Sequence, residues 1–381
     1  MKKRNFNKIS LSIFFLGSIS ILSACNGGGG GSSSPAISYP ANPTNTLPNG
    51  YQCLPSGYQA VQSAGSGTKI AYGGNCQVSD VSDPSQQQTL QSMAVALTNS
   101  VGKRYCTGTP IKFETQGNVR VGYVLTAAHC VTGNPKAANQ EITTDNIVTF
   151  PYFNYINQVL DASSLSGTTG TIEAVYVLKQ YCQAPSMNFS SQTGKYTCSD
   201  LPSQNGDVAL LKVSLSPNQT LNYNPQVQLA SNAVQPDSPS YIMALGYGYT
   251  NTSSDNTNLF YITYEYFATN SYQGTTGQSA IMNGYSLYGS STFYSIICSG
   301  DSGGGDFYWT NNKWNLIGVH SFGSSQCGAG SPYYPQAMDA SADVRPFATI
   351  FQEIIDNPAN YNSETGCGTY PTNKLVCKSR I

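Results

Sequence analysis

The chain is poor in charged residues, in histidine and in long apolar runs. Only 10% of its 381 residues are charged, 18 Lys and Arg nearly balance 19 Asp and Glu, and only two residues are histidine. Without a basic patch, and with a pI near 6.1, the sequence does not fit a nucleic-acid-binding protein. It shows no internal repeat and no alternation of strands with helices, which excludes a solenoid and a parallel α/β sheet. Any histidine chemistry must therefore use one of two imidazoles.

The N-terminal segment predicts an export signal and not a part of the fold. Basic residues precede a mostly apolar stretch, 9–22, which is too short to span a bilayer comfortably and fits the core of a signal peptide. The stretch ends in Leu22-Ser23-Ala24-Cys25, which resembles the signal of bacterial lipoproteins. That resemblance implies a signal peptide over 1–24 and a lipid on Cys25. The alternative is an ordinary secretory signal cleaved after Ala24, with Cys25 incidental.

The cysteine count favours the lipoprotein interpretation. Removing Cys25 from the eleven cysteines leaves ten, enough for five disulfides, which implies an oxidising compartment such as a periplasm or cell surface. Residues 25–50 are rich in Gly, Ser, Pro and Asn and predict a flexible tether. No second apolar run follows, so we expect a protein held at the membrane by its lipid. By the same resemblance, Asn26 favours the outer membrane, facing the periplasm or the cell surface.

From about residue 91 the sequence predicts an all-β domain. Short β-rich runs alternate with turn residues, which fits two antiparallel barrels at about 91–213 and 237–340. Apolar residues at helical spacing over 344–355 predict a helix, with Ser341 a candidate N-cap. Before and after the domain we expect an N-terminal segment or pro-segment, 51–90, and a tail closed by a disulfide, 356–381. The runs expected as strands are Met93–Leu97, Arg120–Leu125, Ile147–Phe150, Thr171–Leu178, Val208–Val213, Tyr241–Leu245, Phe260–Phe267 and Leu316–Ser321.

Three short segments carry a histidine, an aspartate and a serine in that order. They are Thr126-Ala127-Ala128-His129-Cys130, Gly206-Asp207-Val208-Ala209-Leu210-Leu211 and Cys298-Ser299-Gly300-Asp301-Ser302-Gly303-Gly304. This is the chain order of the chymotrypsin-type triad. Over about 91–355 the sequence resembles the trypsin/chymotrypsin-like serine proteases. The resemblance implies two antiparallel six-stranded barrels with a C-terminal helix. It also implies a serine endopeptidase, which we expect to act on polypeptides as a monomer without cofactor or metal.

The chemistry gives each of these residues a role. A serine hydroxyl is a poor nucleophile at neutral pH, and an adjacent imidazole activates it by taking its proton. Ser302 is the candidate nucleophile, His129 the general base and then acid, and Asp207 the residue that holds the imidazole tautomer. The backbone N–H groups of Gly300 and Ser302 are the candidate oxyanion hole. Two alternatives stay open: Asp207 as a plain turn residue, and a surface-binding protein on a protease fold with little or no activity.

The specificity pocket is predicted to be uncharged. Ile296 stands six residues before Ser302, where trypsin has aspartate, so Lys and Arg at the P1 position should be poor. Some glutamyl endopeptidases carry histidine at the position of His320 and serine at that of Ser299, and they use that histidine to bind an acidic P1 side chain. Glu at P1 is therefore expected, with a medium-sized uncharged residue as the fallback. The alternative is that His320 is hydrogen-bonded only to its neighbours. The candidate substrate-binding residues are Ile296, Ser299, His320, Ser321 and Gly323.

The resemblance also implies disulfides and a route of activation. Cys106 should pair with Cys130, and Cys298 with Cys327. By the same resemblance, cleavage of Lys69–Ile70 would free an N-terminus that pairs with Asp301, and the alternative is an unprocessed loop. The six other cysteines allow many pairings. Pairing of nearest neighbours gives Cys53–Cys76, Cys182–Cys198 and Cys367–Cys377.

Overall fold

The alternating apolar runs of the sequence form β-sheets, one of which closes into a barrel. The computed structural model describes residues 47–48, 50–51, 53, 76–98, 104–132, 140–143, 158–161, 168–178, 187–190, 195–198, 206–236, 240–248, 258–266, 271–273, 279–283, 299–322, 339–361 and 375–379. All of them lie in one compact unit, Ala41–Ile381. No helix within these ranges has both the length and the apolar character needed to cross a membrane.

The elements are numbered in chain order. The strands are β1 (Cys76–Gln77), β2 (Val95–Thr98), β3 (Arg104–Gln116), β4 (Val119–Thr126), β5 (Gln140–Thr143), β6 (Gln158–Asp161), β7 (Thr169–Leu178), β8 (Met187–Ser190), β9 (Lys195–Cys198), β10 (Ala209–Leu215), β11 (Val227–Leu229), β12 (Ser240–Gly246), β13 (Phe260–Tyr266), β14 (Ser271–Gln273), β15 (Ser279–Asn283), β16 (Gly305–Thr310), β17 (Lys313–Phe322), β18 (Asp339–Asp343) and β19 (Leu375–Ser379). The helices are α1 (Pro84–Ser92), α2 (His129–Thr132) and α3 (Ala348–Asp356), and short 3-10 turns span Val78–Asp80, Arg345–Phe347 and Pro358–Tyr361.

Six antiparallel strands close the first barrel. Their order is β10-β4-β3-β2-β6-β7, and β7 pairs back with β10. In β10 the apolar residues Leu211, Val213 and Leu215 are buried, while Lys212 and Ser214 between them are partly exposed. This is the alternation expected of a strand with one face in a core. The barrel is the one that the sequence predicts for the first half of the domain.

The second half of the domain forms a sheet of the order β1-β13-β12-β16-β17-β18-β15-β14, with β11 joined parallel to β17. β16 and β17 are connected by the two-residue turn Asn311–Asn312, with φ of 54° and 56°, and Thr310 pairs with Lys313 across it. The all-β prediction is thus confirmed, with a closed first barrel and a second sheet in the described ranges. The strands β5, β9 and β8 form a separate small sheet.

The segment before the domain packs against the second sheet. The ring of Tyr51 meets the ring of buried Trp314 at 5.3 Å between centroids, in an edge-on arrangement. A disulfide joins Cys53 to Cys76 at the start of β1, the pairing given by nearest neighbours.

The C-terminal helix is present but begins later than the sequence predicts. The buried side chains of α3 follow the expected helical spacing. Ser341, the candidate N-cap, lies instead in β18, opposite His320 of β17. Pro346 then fixes a 3-10 turn between the strand and the helix. Beyond α3, β19 pairs with β7, so part of the tail that we expected after the domain extends the barrel sheet.

Candidate active site

The register of two barrel strands brings His129 and Asp207 together. β4 and β10 pair antiparallel, with Thr126 opposite Ala209. The chain leaves β4 at Thr126 and starts α2 at His129, and it enters β10 shortly after Asp207. Because the two strands run in opposite directions, the residues just after β4 and just before β10 lie beyond the same edge of the barrel.

Asp207 is buried and accepts hydrogen bonds from three donors. Its Oδ2 lies 2.7 Å from Nδ1 of His129 and 2.6 Å from Oγ of Ser321, and its Oδ1 lies 2.8 Å from the backbone N of His129. The contact with Nδ1 favours the tautomer whose lone pair is on Nε2. Burial would lower the pKa of His129, but the charge and hydrogen bond of Asp207 outweigh it and raise the pKa above the ordinary 6.5.

Ser302 lies in a loop that is held against the same edge of the barrel. Its carbonyl oxygen accepts from the backbone N of Thr107 at 2.8 Å and lies 3.5 Å from Sγ of Cys130. The same sulfur lies 3.9 Å from Nε2 of His129. Cys130 in turn forms a disulfide with Cys106 of β3. Sγ of Cys130 therefore lies next to both the serine loop and the ring of His129, and its disulfide joins it to the barrel.

The serine loop requires glycine on both sides of Ser302. Gly300 and Gly303 have φ of 99° and 86°, in the left-handed region. A Cβ on Gly303 would also lie 2.1 Å from Oγ1 of Thr126 and 2.2 Å from the carbonyl oxygen of Thr107. Neither contact is possible for a real side chain, so the loop can approach the barrel only with glycine at this position.

Thr107 is a supporting residue that the sequence reasoning did not single out. Its buried hydroxyl donates to the carbonyl oxygen of Gly300 at 2.8 Å and accepts from the backbone N of Tyr247 at 3.0 Å. No sequence motif indicated this role, because the contact joins residues that are far apart in the chain. Close by, the backbone N of Gly248 donates to Oδ1 of Asp301 at 2.7 Å.

His320 is buried and both of its ring nitrogens face atoms of the protein. Nε2 lies 3.1 Å from Oδ1 of Asp306, and Nδ1 lies 3.2 Å from the carbonyl oxygen of Asp301. Asp306 is itself fully buried. This arrangement corresponds to the alternative in which His320 is hydrogen-bonded to its neighbours.

The other candidate site residues divide into those that the structure describes and those outside the described ranges. Ser299 is exposed and adjoins Gly300. Ser321, expected at the substrate, uses its side chain to support Asp207. The structure describes no side chain for Cys198 or Cys377. Outside the described residues lie Cys25, Lys69, Ile70, Ile147–Phe150, Cys182, Ile296, Cys298, Gly323, Cys327 and Cys367.

One group of potential metal ligands adjoins the site. The ligand atoms of Cys106, His129 and Cys130 lie within 4.8 Å of one another. The disulfide between the two cysteines removes both thiolates, and Nδ1 of His129 is bonded to Asp207. The chemistry of this group therefore does not suit a metal ion.

Comparison with known proteins identifies the family of the chain. The family model for trypsin matches residues 80–344, more than half of the chain. Among solved structures, one titled "Atomic resolution structure of HBP" is 17% identical, with a TM-score of 0.42 over 71% of this chain and 94% of that chain. A search of curated proteins found no significant match. With the family model matched over His129 and Asp207 and over the loop of Ser302, the chain belongs to the trypsin family.

Proposed function

We propose that the protein is a serine endopeptidase that works through an acyl-enzyme. Oγ of Ser302 attacks the scissile carbonyl carbon while Nε2 of His129 takes its proton, and the C–N bond breaks as His129 returns that proton to the leaving amine. Water then attacks the ester by the same route and frees Ser302. The observation that carries the proposal is the set of three hydrogen bonds to the Asp207 carboxylate. They hold His129 in the tautomer that can act as a base.

The backbone N–H groups of Gly300 and Ser302 are proposed to bind the oxyanion. Two contacts from Thr107 hold the peptide units on either side of the one that carries the N–H of Ser302, since its hydroxyl donates to the carbonyl of Gly300 and its backbone N donates to that of Ser302. Donors that are fixed before the reaction stabilise the developing charge without having to reorganise.

Labelling with a fluorophosphonate probe tests the proposal against a surface-binding protein on a protease fold. The probe reacts with a serine only when an adjacent base activates it. We expect the full-length protein to be labelled and the Ser302→Ala variant to stay unlabelled. An unlabelled wild-type protein that is folded by circular dichroism would favour the binding function.

The contacts of His320 lead us to reverse the order of P1 residues expected from the resemblance, in which Glu came before an uncharged residue. Both nitrogens of His320 already face Asp306 and Asp301, and the Asp306 carboxylate would repel a second carboxylate. We therefore propose cleavage after medium-sized uncharged residues, with Glu ahead of Lys and Arg because Ile296 offers a cation no partner. A library of peptides varied at P1 measures this. Dominant cleavage after Arg or Lys would contradict it, and a Glu preference that His320→Val abolishes would restore a direct contact with His320.

Attachment to the outer membrane through a lipid on Cys25 is proposed from the signal sequence. A multiply acylated cysteine anchors stably, whereas one chain binds weakly. Cys25→Ser should move the protein from the membrane fraction to the soluble periplasmic fraction, as measured by fractionation and by the mass of the mature N-terminus. Ser23→Ala, which keeps the cysteine, is the matched control. Unchanged fractionation of Cys25→Ser would reject the anchor.

A further inference from the structure

The C-terminal strand β19 lies along the half of β7 that leads to the candidate active site. One edge of β7 pairs with β10 over residues 170–177. The opposite edge pairs first with β6, over residues 169–171, and then with β19, over residues 174–178. β19 therefore continues along the second half of β7 the pairing that β6 provides along the first half.

A β-bulge in β7 lies where its partner changes. Ile172 and Ala174 lie opposite adjacent residues of β10, so Glu173 is an extra residue in β7. A bulge bends its strand and changes the direction of the residues that follow. The segment that follows Glu173 is the one that pairs with β19 on one edge and with the first residues of β10 on the other.

The segment of β7 after the bulge is buried on both faces. Successive side chains of a strand point to opposite faces, and residues 174–177 are all buried. Before the bulge, Ile172 is buried whereas Thr171 is exposed. The second half of β7 is therefore an interior strand, covered on both faces and paired on both edges. Loss of β19 would remove the partners of one edge, and unpaired backbone groups beside a buried segment are costly.

This half of β7 adjoins the strand ends that carry His129 and Asp207. Val177 of β7 lies opposite Ala209 of β10, and Ala209 lies opposite Thr126 of β4. Asp207 comes two residues before Ala209. His129 comes three residues after Thr126. β19, β7, β10 and β4 thus lie side by side at the edge of the barrel where the two candidate site residues meet.

We propose that β19 is a positioning element of the candidate active site, because it fixes β7 against β10 and so holds Asp207 in contact with His129. That contact is short, at 2.7 Å between Oδ2 and Nδ1. A displacement of about 1 Å that originates far from the chemistry can reduce a rate about 10²-fold. The catalytic unit therefore extends to Ser379, beyond residue 344, where the match to the family model ends. This inference rests on the proposed peptidase function and assigns a role in it to the C-terminal tail.

Two prolines in β19 test the proposal in the full-length chain. Val376→Pro with Cys377→Pro removes two successive backbone N–H groups. Successive N–H groups of a strand point to opposite edges, so one of the two is lost from the pairing with β7. Cys367→Ser is added because the predicted disulfide partner of Cys367 is gone. The matched control, Cys367→Ser with Cys377→Ser, keeps every backbone N–H of the strand.

We expect kcat of the proline variant to fall about 10²-fold below that of the control, with KM nearly unchanged. Burial lowers the pKa of His129, and the charge and hydrogen bond of Asp207 outweigh it. A looser contact therefore lowers that pKa, and the acid limb of the kcat profile should move to lower pH. Partial unfolding alone would lower kcat without moving this limb. Equal kcat in the two variants, or a loss with an unmoved acid limb, would overturn the positioning role.

Supplying β19 as a separate peptide covers the case in which the proline variant does not fold. A chain that ends at Lys374 and carries Cys367→Ser is refolded with a synthetic peptide of residues 375–381. One peptide carries Cys377→Ser, and the other carries the two proline substitutions. The first peptide should restore labelling by fluorophosphonate in a saturable manner, and the second should not. Labelling that is complete without a peptide, that both peptides restore equally, or that neither restores would overturn the proposal.

Hydrogen exchange separates this inference from the proposed function, because it needs no catalysis. In the full-length Ser302→Ala variant, the backbone amides of β19 should exchange as slowly as those of β7 and β10, as expected of one cooperative unit. Fast exchange of β19 beside a protected β7 would reject this inference even if fluorophosphonate labels the wild-type protein. A protected β19 in a protein whose wild type the probe does not label would reject the peptidase, and the positioning role with it.

Discussion

Replacing Ser302 with alanine is expected to abolish peptide hydrolysis, with a loss in kcat of about 10⁶-fold. The change removes only Oγ, the proposed nucleophile. The loop itself is held by backbone groups, since the carbonyl of Ser302 accepts from Thr107 and the N of Gly303 donates to His320. The variant should therefore fold like the wild type, which circular dichroism and thermal melting check. Hydrolysis of a peptide cleaved by the wild type gives the rate.

The control for this experiment is Ser216→Ala, which alters an exposed serine in the turn after β10. It should retain full activity and full labelling by fluorophosphonate. Activity of Ser302→Ala within tenfold of the wild type would remove the assignment of the nucleophile. It would also make the acyl-enzyme mechanism untenable for this chain.

Asp207→Asn is expected to reduce kcat by about 10⁴-fold. The carboxylate accepts at both oxygens, so an amide must present its NH₂ group to a former donor. With the NH₂ in place of Oδ2, the hydroxyl of Ser321 can turn to accept, and Nδ1 of His129 can accept after its proton moves to Nε2. Every group is then satisfied, but the lone pair of the base faces Asn and not the nucleophile.

The pH profile and the stability of this variant distinguish the tautomer from a general loss of structure. We expect a melting temperature close to that of the wild type and a kcat that stays low at every pH where His129 is neutral. A loss smaller than tenfold would contradict the role of Asp207. A loss that disappears on cooling would indicate unfolding in place of a wrong tautomer.

The candidate site residues could be located from the sequence because each motif joins a proposed catalytic residue to a recognisable local structure. His129 follows a buried strand, Asp207 precedes one, and Ser302 lies among glycines that permit the tight loop. The short β-rich runs between turn residues likewise predicted β4, β7, β10, β12, β13 and β17 close to their observed bounds. Each of these features depends only on residues that are close together in the sequence.

The supporting contacts were not accessible because they join residues far apart in the chain. Thr107 contacts Gly300, and Ser321 contacts Asp207, only after the two halves of the domain have packed. The sequence analysis assigned no role to Asp306, because its contact with His320 forms only once β16 and β17 have paired. Ser341 failed as a helix N-cap for the same reason, since sheet pairing with β17 outweighed its local capping preference.

The short turn Asn311–Asn312 has a consequence far from its own position. Two left-handed residues make a two-residue hairpin, and the length of this turn, together with a one-residue shift between Asp306 and Phe307, sets which residues of β16 and β17 lie opposite each other. His320 serves the loop of Ser302 and its neighbour Ser321 serves Asp207, from adjacent positions of β17. Deleting one turn residue would slide the strand by one place and exchange its two faces. The length of this surface turn therefore determines whether His320 can contact the loop of Ser302 and Ser321 can contact Asp207.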